Sequence, residues 1–325
     1  MSKKIVFLGT GGTIAGTSDQ AGDNVGYTAA QVGVGQLLLA IPRLQSALGD
    51  LNFHSEQVCQ VDSKDMGWTQ WRVLADRITH YLAEPTVGSV VVTHGTDTLE
   101  ETEFFLSRVV SQTLLASKPV VLTCAMRPAS SMSPDGPQNV LDAVAVARSN
   151  QARGVLAVCA GKVHSAGDVQ KIHPYQLNAF DSGDAGPLAY VEEGRVRWVH
   201  ACPLADGAAP ALSAAVLAQE TWPRVEIVMS YAGATGDTVR ALCAAVGAAA
   251  QPVRGIVVAG TGNGTIHHDL ELALQEAQAQ GVRVLRSTRC VYGKLVAGGS
   301  AEGFDDARGL SPVKARIALM LELMA

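Results

Sequence analysis

The sequence predicts an α/β protein with a larger N-terminal, doubly wound, mostly parallel sheet domain and a smaller C-terminal α/β domain. Three observations carry this expectation. Short apolar runs such as Ile5-Val6-Phe7-Leu8, bounded by glycine, alternate with longer helical stretches. The turns after these runs hold glycines, hydroxyls and acids, the residues that gather at the carboxyl edge of a parallel sheet. An Ala- and Pro-rich stretch with few charges then separates two such alternating series. Domains are expected at 1–200 and 222–325, joined by a linker at 201–221 that contains a short helix.

The elements follow in order. Strands are expected at Ile5–Leu8 and Gln57–Val61, with a helix from Gln31 to Ile41 between them, stopped by Pro42. A helix over Trp68–Ala83 precedes the strand Val87–Thr93. Asp97 and Glu100 have the spacing of a helix cap and capping box. After the strand Pro119–Thr123, Asp135-Gly136-Pro137 opens a helix to Asn150, with proline where the first turn tolerates it. Gly154–Ala160 is the next strand. Lys162–His200 is less regular and ends in a hairpin turning at Glu193-Gly194. In the second domain, strands are expected at Val225–Ser230, Gly255–Ala259 and Val282–Arg286, and helices at Asp237–Ala250, Leu270–Gln280 and Ser311–Leu323.

Composition narrows the function. The net charge is −5 over 325 residues with no basic block, so no nucleic-acid footprint is present. No apolar run reaches the roughly 18 residues needed to span a membrane. The first strand begins almost at once, with no secretory h-region before it, and a cytoplasmic location is expected. The six cysteines include no C-x-x-C pair and read as reduced core residues. Zinc spacing is absent. His267 and His268 are adjacent and should point in different directions, so no metal is expected.

The turn Gly9-Thr10-Gly11-Gly12-Thr13-Ile14-Ala15-Gly16 organises the chain. It fails the dinucleotide pattern, because Ile14 stands where glycine is required, and it lacks the Gly-Lys pair of a phosphate loop. It reads either as a structural turn or as a site whose Thr13 hydroxyl is a nucleophile. The loop from Thr17 to Gly26, with Tyr27 at its end, is an ordinary loop or a lid over that hydroxyl. Thr13, Ser63 with Asp65, Thr96 with Asp97, and Ala125-Met126-Arg127 all follow strands, so a parallel sheet would bring them to one edge.

Together these stretches resemble the bacterial-type L-asparaginase family, which includes glutaminase-asparaginases. Thr10–Gly16 (T-G-G-T-I-A-G) and Thr93–Glu101 (T-H-G-T-D-T-L-E-E) are similar to its two signatures. A-M-R-P at 125–128, S-M-S-x-D-G-P at 131–137, D-V-x-K at 168–171, A-G-x-G-N-G at 259–264 and S-P-V-K-A-R at 311–316 extend the likeness over nearly the whole chain. The resemblance implies two α/β domains, homotetramers built as dimers of dimers, and no metal or organic cofactor.

It also implies two-step amide hydrolysis of L-asparagine. Thr13 would attack the side-chain amide, release ammonia and carry a β-acyl ester that water then cleaves. Tyr27 resembles the residue that hydrogen-bonds this nucleophile. Thr96, Asp97 and Lys171 resemble the second triad, which guides the water. A lysine can act as a base only if its ammonium first loses a proton, and Lys171 taken alone also reads as a surface residue. Ser63 and Asp97 match residues that hold the substrate's α-carboxylate and α-ammonium, with Gly12, Asp62 and Ala125 lining the site. Backbone N–H groups at Gly95, Thr96 and Ala125 are expected oxyanion donors. His94, within the signature, is expected to be structural.

The sequence departs from the family at two positions. Lys64 stands where dual-activity members have glutamine, and would either hold the α-carboxylate or point to solvent. Thr265, two residues after Asn263, stands where some members have an asparagine that reaches a neighbouring subunit's site. Glu302 is the candidate partner of the lid tyrosine. The alternatives are a dual glutaminase-asparaginase, the amidase subunit of a tRNA-dependent amidotransferase, and a non-catalytic amino-acid sensor. The amidotransferase subunit usually carries an N-terminal extension, and the presence of Thr13, Thr96, Asp97 and Lys171 together argues against the sensor.

Overall fold

Eight strands of the first unit hydrogen-bond in the order β10-β9-β6-β5-β4-β3-β1-β2. They are β1 (Lys4–Gly11), β2 (Asn52–Val61), β3 (Val87–Thr93), β4 (Val120–Thr123), β5 (Val155–Cys159), β6 (Lys162–Ser165), β9 (Ala189–Glu192) and β10 (Arg195–Trp198). The computed structural model describes residues 3–20, 22–203, 218–244, 251–296 and 303–325. By contacts the chain divides into two units, Met1–Ser213 and Ala214–Ala325. Most of the expected linker and its short helix, together with Glu302, lies outside the described residues.

The five strands β2-β1-β3-β4-β5 run parallel. Their central members read as continuous Val- and Leu-rich runs because both faces are covered. Helices α1 (Val34–Leu39), α2 (Leu44–Leu48) and α6 (Gly136–Arg148) share one core with Ile5, Phe7, Val91, Val121 and Leu156. Helices α3 (Trp68–Ala83) and α4 (Leu99–Val109) cover the other face and bury Trp71, Leu74, Ile78, Leu99 and Phe105. A short α5 (Gln112–Leu115) leads into β4.

Three differences from expectation have local causes. The helix after the glycine-rich loop starts at Val34, and Pro42 begins a connection to α2 rather than closing a longer helix. β6, β9 and β10 are antiparallel. β6 (K-V-H-S) has too polar a composition to read as a strand, but positive φ at Ala160 and Gly161 folds it back on β5. The capping box at Asp97 does not form. Helix α4 is capped at Thr98 without a side-chain bond, because the Asp97 carboxylate is engaged by Lys171. The hairpin at Glu193-Gly194 is present, with positive φ at both turn residues.

A two-stranded ribbon of β7 (Gln170–Lys171) and β8 (Phe180–Asp181) places Lys171. The second unit has the sheet β11 (Arg224–Met229), β12 (Val253–Gly260), β13 (Arg283–Thr288) and β14 (Asp305–Asp306), parallel throughout. Its helices are α7 (Asp237–Cys243), α8 (His268–Ala279) and α9 (Pro312–Glu322). The last part of the expected helix Asp237–Ala250 lies outside the described residues.

Candidate active site

The carboxyl ends of β1, β2, β3 and β4 face the same way because these strands are parallel. Between Gly9 and Gly11 the register with β2 shifts, and the Gly12 N–H donates to Val61 O at 3.0 Å. This irregularity turns Thr13 into a short 3-10 turn, Thr13–Ala15. Gly12 has φ 79°, and a methyl group there would overlap Gly95, so neither position has room for a side chain. The close approach sets the Thr13 turn directly against the Gly95-Thr96 turn that follows β3.

Thr13 is buried, at 7% exposure. Its hydroxyl lies 2.6 Å from the Tyr27 hydroxyl. The loop carrying Tyr27 is pinned by backbone bonds between Thr17 and Thr28, and the Tyr27 ring packs on Gly16. Beside the next strand, Lys171 Nζ donates to Thr96 Oγ1 at 2.9 Å and to Asp97 Oδ1 at 2.6 Å. The Lys171 side chain is 16% exposed and that of Asp97 53%, so the lysine is sheltered while the carboxylate opens to solvent.

Ser63 is buried, and its Oγ accepts the Asp97 N–H at 3.2 Å. The Thr98 hydroxyl donates to Ser63 O at 2.7 Å, tying the β2 end to the β3 end. Asp62 caps the 3-10 turn Ser63–Asp65 and holds the Lys64 ammonium at 2.5 Å. The Lys64 side chain is exposed: its ammonium bridges Asp62 and Asp65, and the hydrogen bond it donates to Asp62 raises its pKa.

Two supports were not legible in the sequence. Asp135 accepts from Met126 N at 3.0 Å and Arg127 N at 2.9 Å, so it holds the turn after Ala125 instead of capping α6. Trp71 Nε1 donates to Thr102 Oγ1 at 2.8 Å, and Thr102 lies 2.9 Å from His94 Nε2. His94 Nδ1 lies 2.7 Å from Gly95 O. Only the tautomer with hydrogen on Nδ1 satisfies every partner, since a carbonyl cannot donate. Burial lowers the His94 pKa to about 4 and keeps it neutral. In a trans peptide, a Gly95 carbonyl drawn to His94 sends the Thr96 N–H to the opposite side. Among the described residues, the N–H groups of Gly95, Thr96 and Ala125 have no hydrogen-bond acceptor.

Asn263 and Thr265 belong to the second unit and are engaged there. The Asn263 amide exchanges two hydrogen bonds with the Val296 backbone, and Thr265 Oγ1 lies 2.7 Å from Thr261 Oγ1. His267 and His268 do not diverge: their rings stack 4.5 Å apart beside Asp269, because His267 Nδ1 caps α8.

The Asparaginase, N-terminal family model matches residues 4–203, and the Glutaminase/Asparaginase C-terminal domain model matches residues 224–325. The chain belongs to the asparaginase/glutaminase family. A glutaminase-asparaginase of Pseudomonas fluorescens biotype A is 37% identical, covering 98% of this chain and 86% of the relative. L-asparaginase 2 of Escherichia coli strain K12 is 36% identical, covering 98% of this chain and 88% of the relative. The crystal structure of a probable cytoplasmic L-asparaginase from Campylobacter jejuni superposes with TM-score 0.88 at 35% identity, over 99% of this chain and 95% of that one. Among the described residues of this family member, no helix is long and apolar enough to cross a membrane.

Proposed function

We propose that this chain is an L-asparaginase that converts L-asparagine and water to L-aspartate and ammonia through a β-acyl ester on Thr13. The observation that carries the reading is the meeting of two hydroxyl centres across Gly12 and Gly95: Thr13 with Tyr27, and Thr96 with Lys171 and Asp97.

Thr13 Oγ1 attacks the side-chain amide carbon, with Tyr27 orienting its hydroxyl. The N–H groups of Thr96 and Ala125 receive the developing oxyanion. The carbon–nitrogen bond breaks and ammonia leaves with the proton from Thr13. Water then attacks the ester, the bond to Thr13 breaks, and the hydroxyl regains its proton. Thr96 guides that water. Thr96 and Lys171 relay its proton toward the departing Thr13 oxygen while Asp97 stays ionised, so no net charge is created. Asp97 and Ser63 anchor the substrate's α-groups, with Asp97 taking the ammonium because an ionised carboxylate only accepts. These protein groups supply both steps.

In this reading residues 1–200 form the catalytic domain, 201–221 the linker and 222–325 the smaller domain. The enzyme is a cytoplasmic homotetramer, a dimer of dimers in which the Asn263–Thr265 turn reaches a partner's site. Sedimentation that finds a fully active monomer, or fractionation that finds a periplasmic pool, would contradict those two statements.

The relative named glutaminase-asparaginase favours dual activity as the second reading. The Lys64 position weighs against it, since its ammonium is held by Asp62 rather than offered to a substrate. Ammonia release by purified protein from L-Asn, D-Asn and L-Gln decides. We expect kcat/KM for L-Asn to exceed that for L-Gln by at least about tenfold, a methylene's worth of discrimination. A ratio near one establishes the dual enzyme, and calorimetric binding without turnover establishes a sensor.

A further inference from the structure

Two thiols meet in the first unit, one residue behind the candidate site. Thr123 of β4 and Val158 of β5 are parallel register partners, so Cys124 and Cys159 follow at the same level. Their Sγ atoms lie 3.1 Å apart. The residues are 1% and 4% exposed, and both are free cysteines. The Asn139 side chain ties the two strand ends together, donating to Cys124 O at 2.9 Å and accepting from Ala160 N at 3.1 Å. Neighbouring strands lie about 4.8 Å apart, within the roughly 4.4–6.8 Å range over which two Cα atoms are bridged by a disulfide. Closing the sulfurs to a bond of about 2.05 Å therefore requires side-chain rotation and a shift of about 1 Å, without parting the strands.

We propose that Cys124 and Cys159 are an oxidation site that hydrogen peroxide joins as a disulfide in the native protein, slowing the amidase through Ala125. One thiol, as its thiolate, attacks a peroxide oxygen. A sulfur–oxygen bond forms, the oxygen–oxygen bond breaks, and hydroxide leaves to become water. The second thiolate attacks that sulfur, forming the sulfur–sulfur bond and releasing a second hydroxide as water. The pair loses two electrons and two protons, and one peroxide becomes two waters. The hydrogen bond that the Cys159 thiol makes to Cys124, with its burial, holds its pKa well above the usual range, so thiolate is scarce and the pair reacts slowly. Peroxide is small enough to enter by local opening.

The link to the site runs through short connections. Cys124 adjoins Ala125, and Asn139 Nδ2 contacts both Cys124 O and Asp135 Oδ2, whose carboxylate holds the Met126 and Arg127 N–H groups. A shift of about 1 Å at this turn is enough to misplace an oxyanion donor. The effect on turnover rests on the reading under Proposed function, whereas the bridge itself does not.

The test treats the full chain with millimolar hydrogen peroxide, quenches with catalase, then alkylates under denaturing conditions. Peptide mapping is run beside the ammonia assay on wild type, Cys124→Ala and Cys159→Ala. We expect a Cys124–Cys159 bridged peptide and a fall of two in the count of six alkylatable thiols. We also expect kcat/KM to drop about tenfold and to return with dithiothreitol. Neither variant should respond. Six intact thiols, or sulfinic acid without a bridge, would overturn the site. A complete bridge with unchanged turnover would overturn the link to Ala125. Absence of ammonia release before treatment would count against the proposed reaction alone, because the bridge is read by mass.

Discussion

The Thr13 and Tyr27 hydroxyl oxygens lie 2.6 Å apart, although 14 positions and a glycine-rich loop separate the two residues. The Tyr27 ring packs on Gly16, so the loop is seated by contacts that do not involve the hydroxyl. Ring and hydroxyl can therefore be separated by substitution. Tyr27→Phe should keep the loop closed and lower kcat on the order of a hundredfold with little change in KM, the size expected when a proton-handling partner is lost. Thr13→Ala should fold normally and lose at least about a thousandfold, or about 4 kcal/mol of barrier. Steady-state kinetics on both variants checks this. A Thr13→Ala enzyme within about tenfold of wild type would remove Thr13 as nucleophile.

Lys171→Met keeps the length of the side chain and deletes its bonds to Thr96 and Asp97. Turnover should fall on the order of a thousandfold, with the β-acyl ester accumulating on Thr13 because water attack is the impaired step. Intact mass after mixing with L-Asn reads the trapped ester directly. Unchanged turnover would make Lys171 a structural partner of Asp97.

Lys64 is held by Asp62 and Asp65 and is open to solvent, so in the proposed reading one substrate anchor is unfilled. A longer, more flexible amide suffers most from a missing anchor. Lys64→Gln should therefore raise kcat/KM for L-Gln relative to L-Asn by about 3–10-fold, within the range a single pocket contact commands. A ratio that stays constant would place the discrimination elsewhere in the site.

His94 links stability to pH. Its folded pKa, about 4, is below its ordinary value of 6.5 because of burial. Below pH 6.5 the unfolded chain binds this proton while the folded chain does not, so stability falls as pH drops from about 6.5 to about 4. The loss from this group reaches about 3 kcal/mol at the low end. Urea titrations across that window should show the decline in wild type and a shallower one in His94→Gln. Equal slopes would assign the acid sensitivity to other groups.

The order of strands and helices was legible in the sequence because it depends on local periodicity. Val87–Thr93 and Trp68–Ala83 form as the pattern predicts, and four turns with reactive residues follow four parallel strands. The residue types of the site were legible for the same reason: Thr13, Thr96, Asp97 and Lys171 stand in recognisable short motifs. Their partners were not. Asp97 has the spacing of a helix cap, yet its carboxylate goes to a lysine 74 positions away, where an ammonium is a better partner than a backbone N–H. His94 is neutral because it is buried, with Thr102 at its Nε2 held in turn by Trp71, and Cys124 meets Cys159 because β4 lies beside β5 in register. The sequence by itself determined most of the parallel strands and long helices and which groups follow each parallel strand. Only tertiary structure decided which groups pair, because hydrogen bonds act over about 3 Å and chain distance says nothing about which residues come that close.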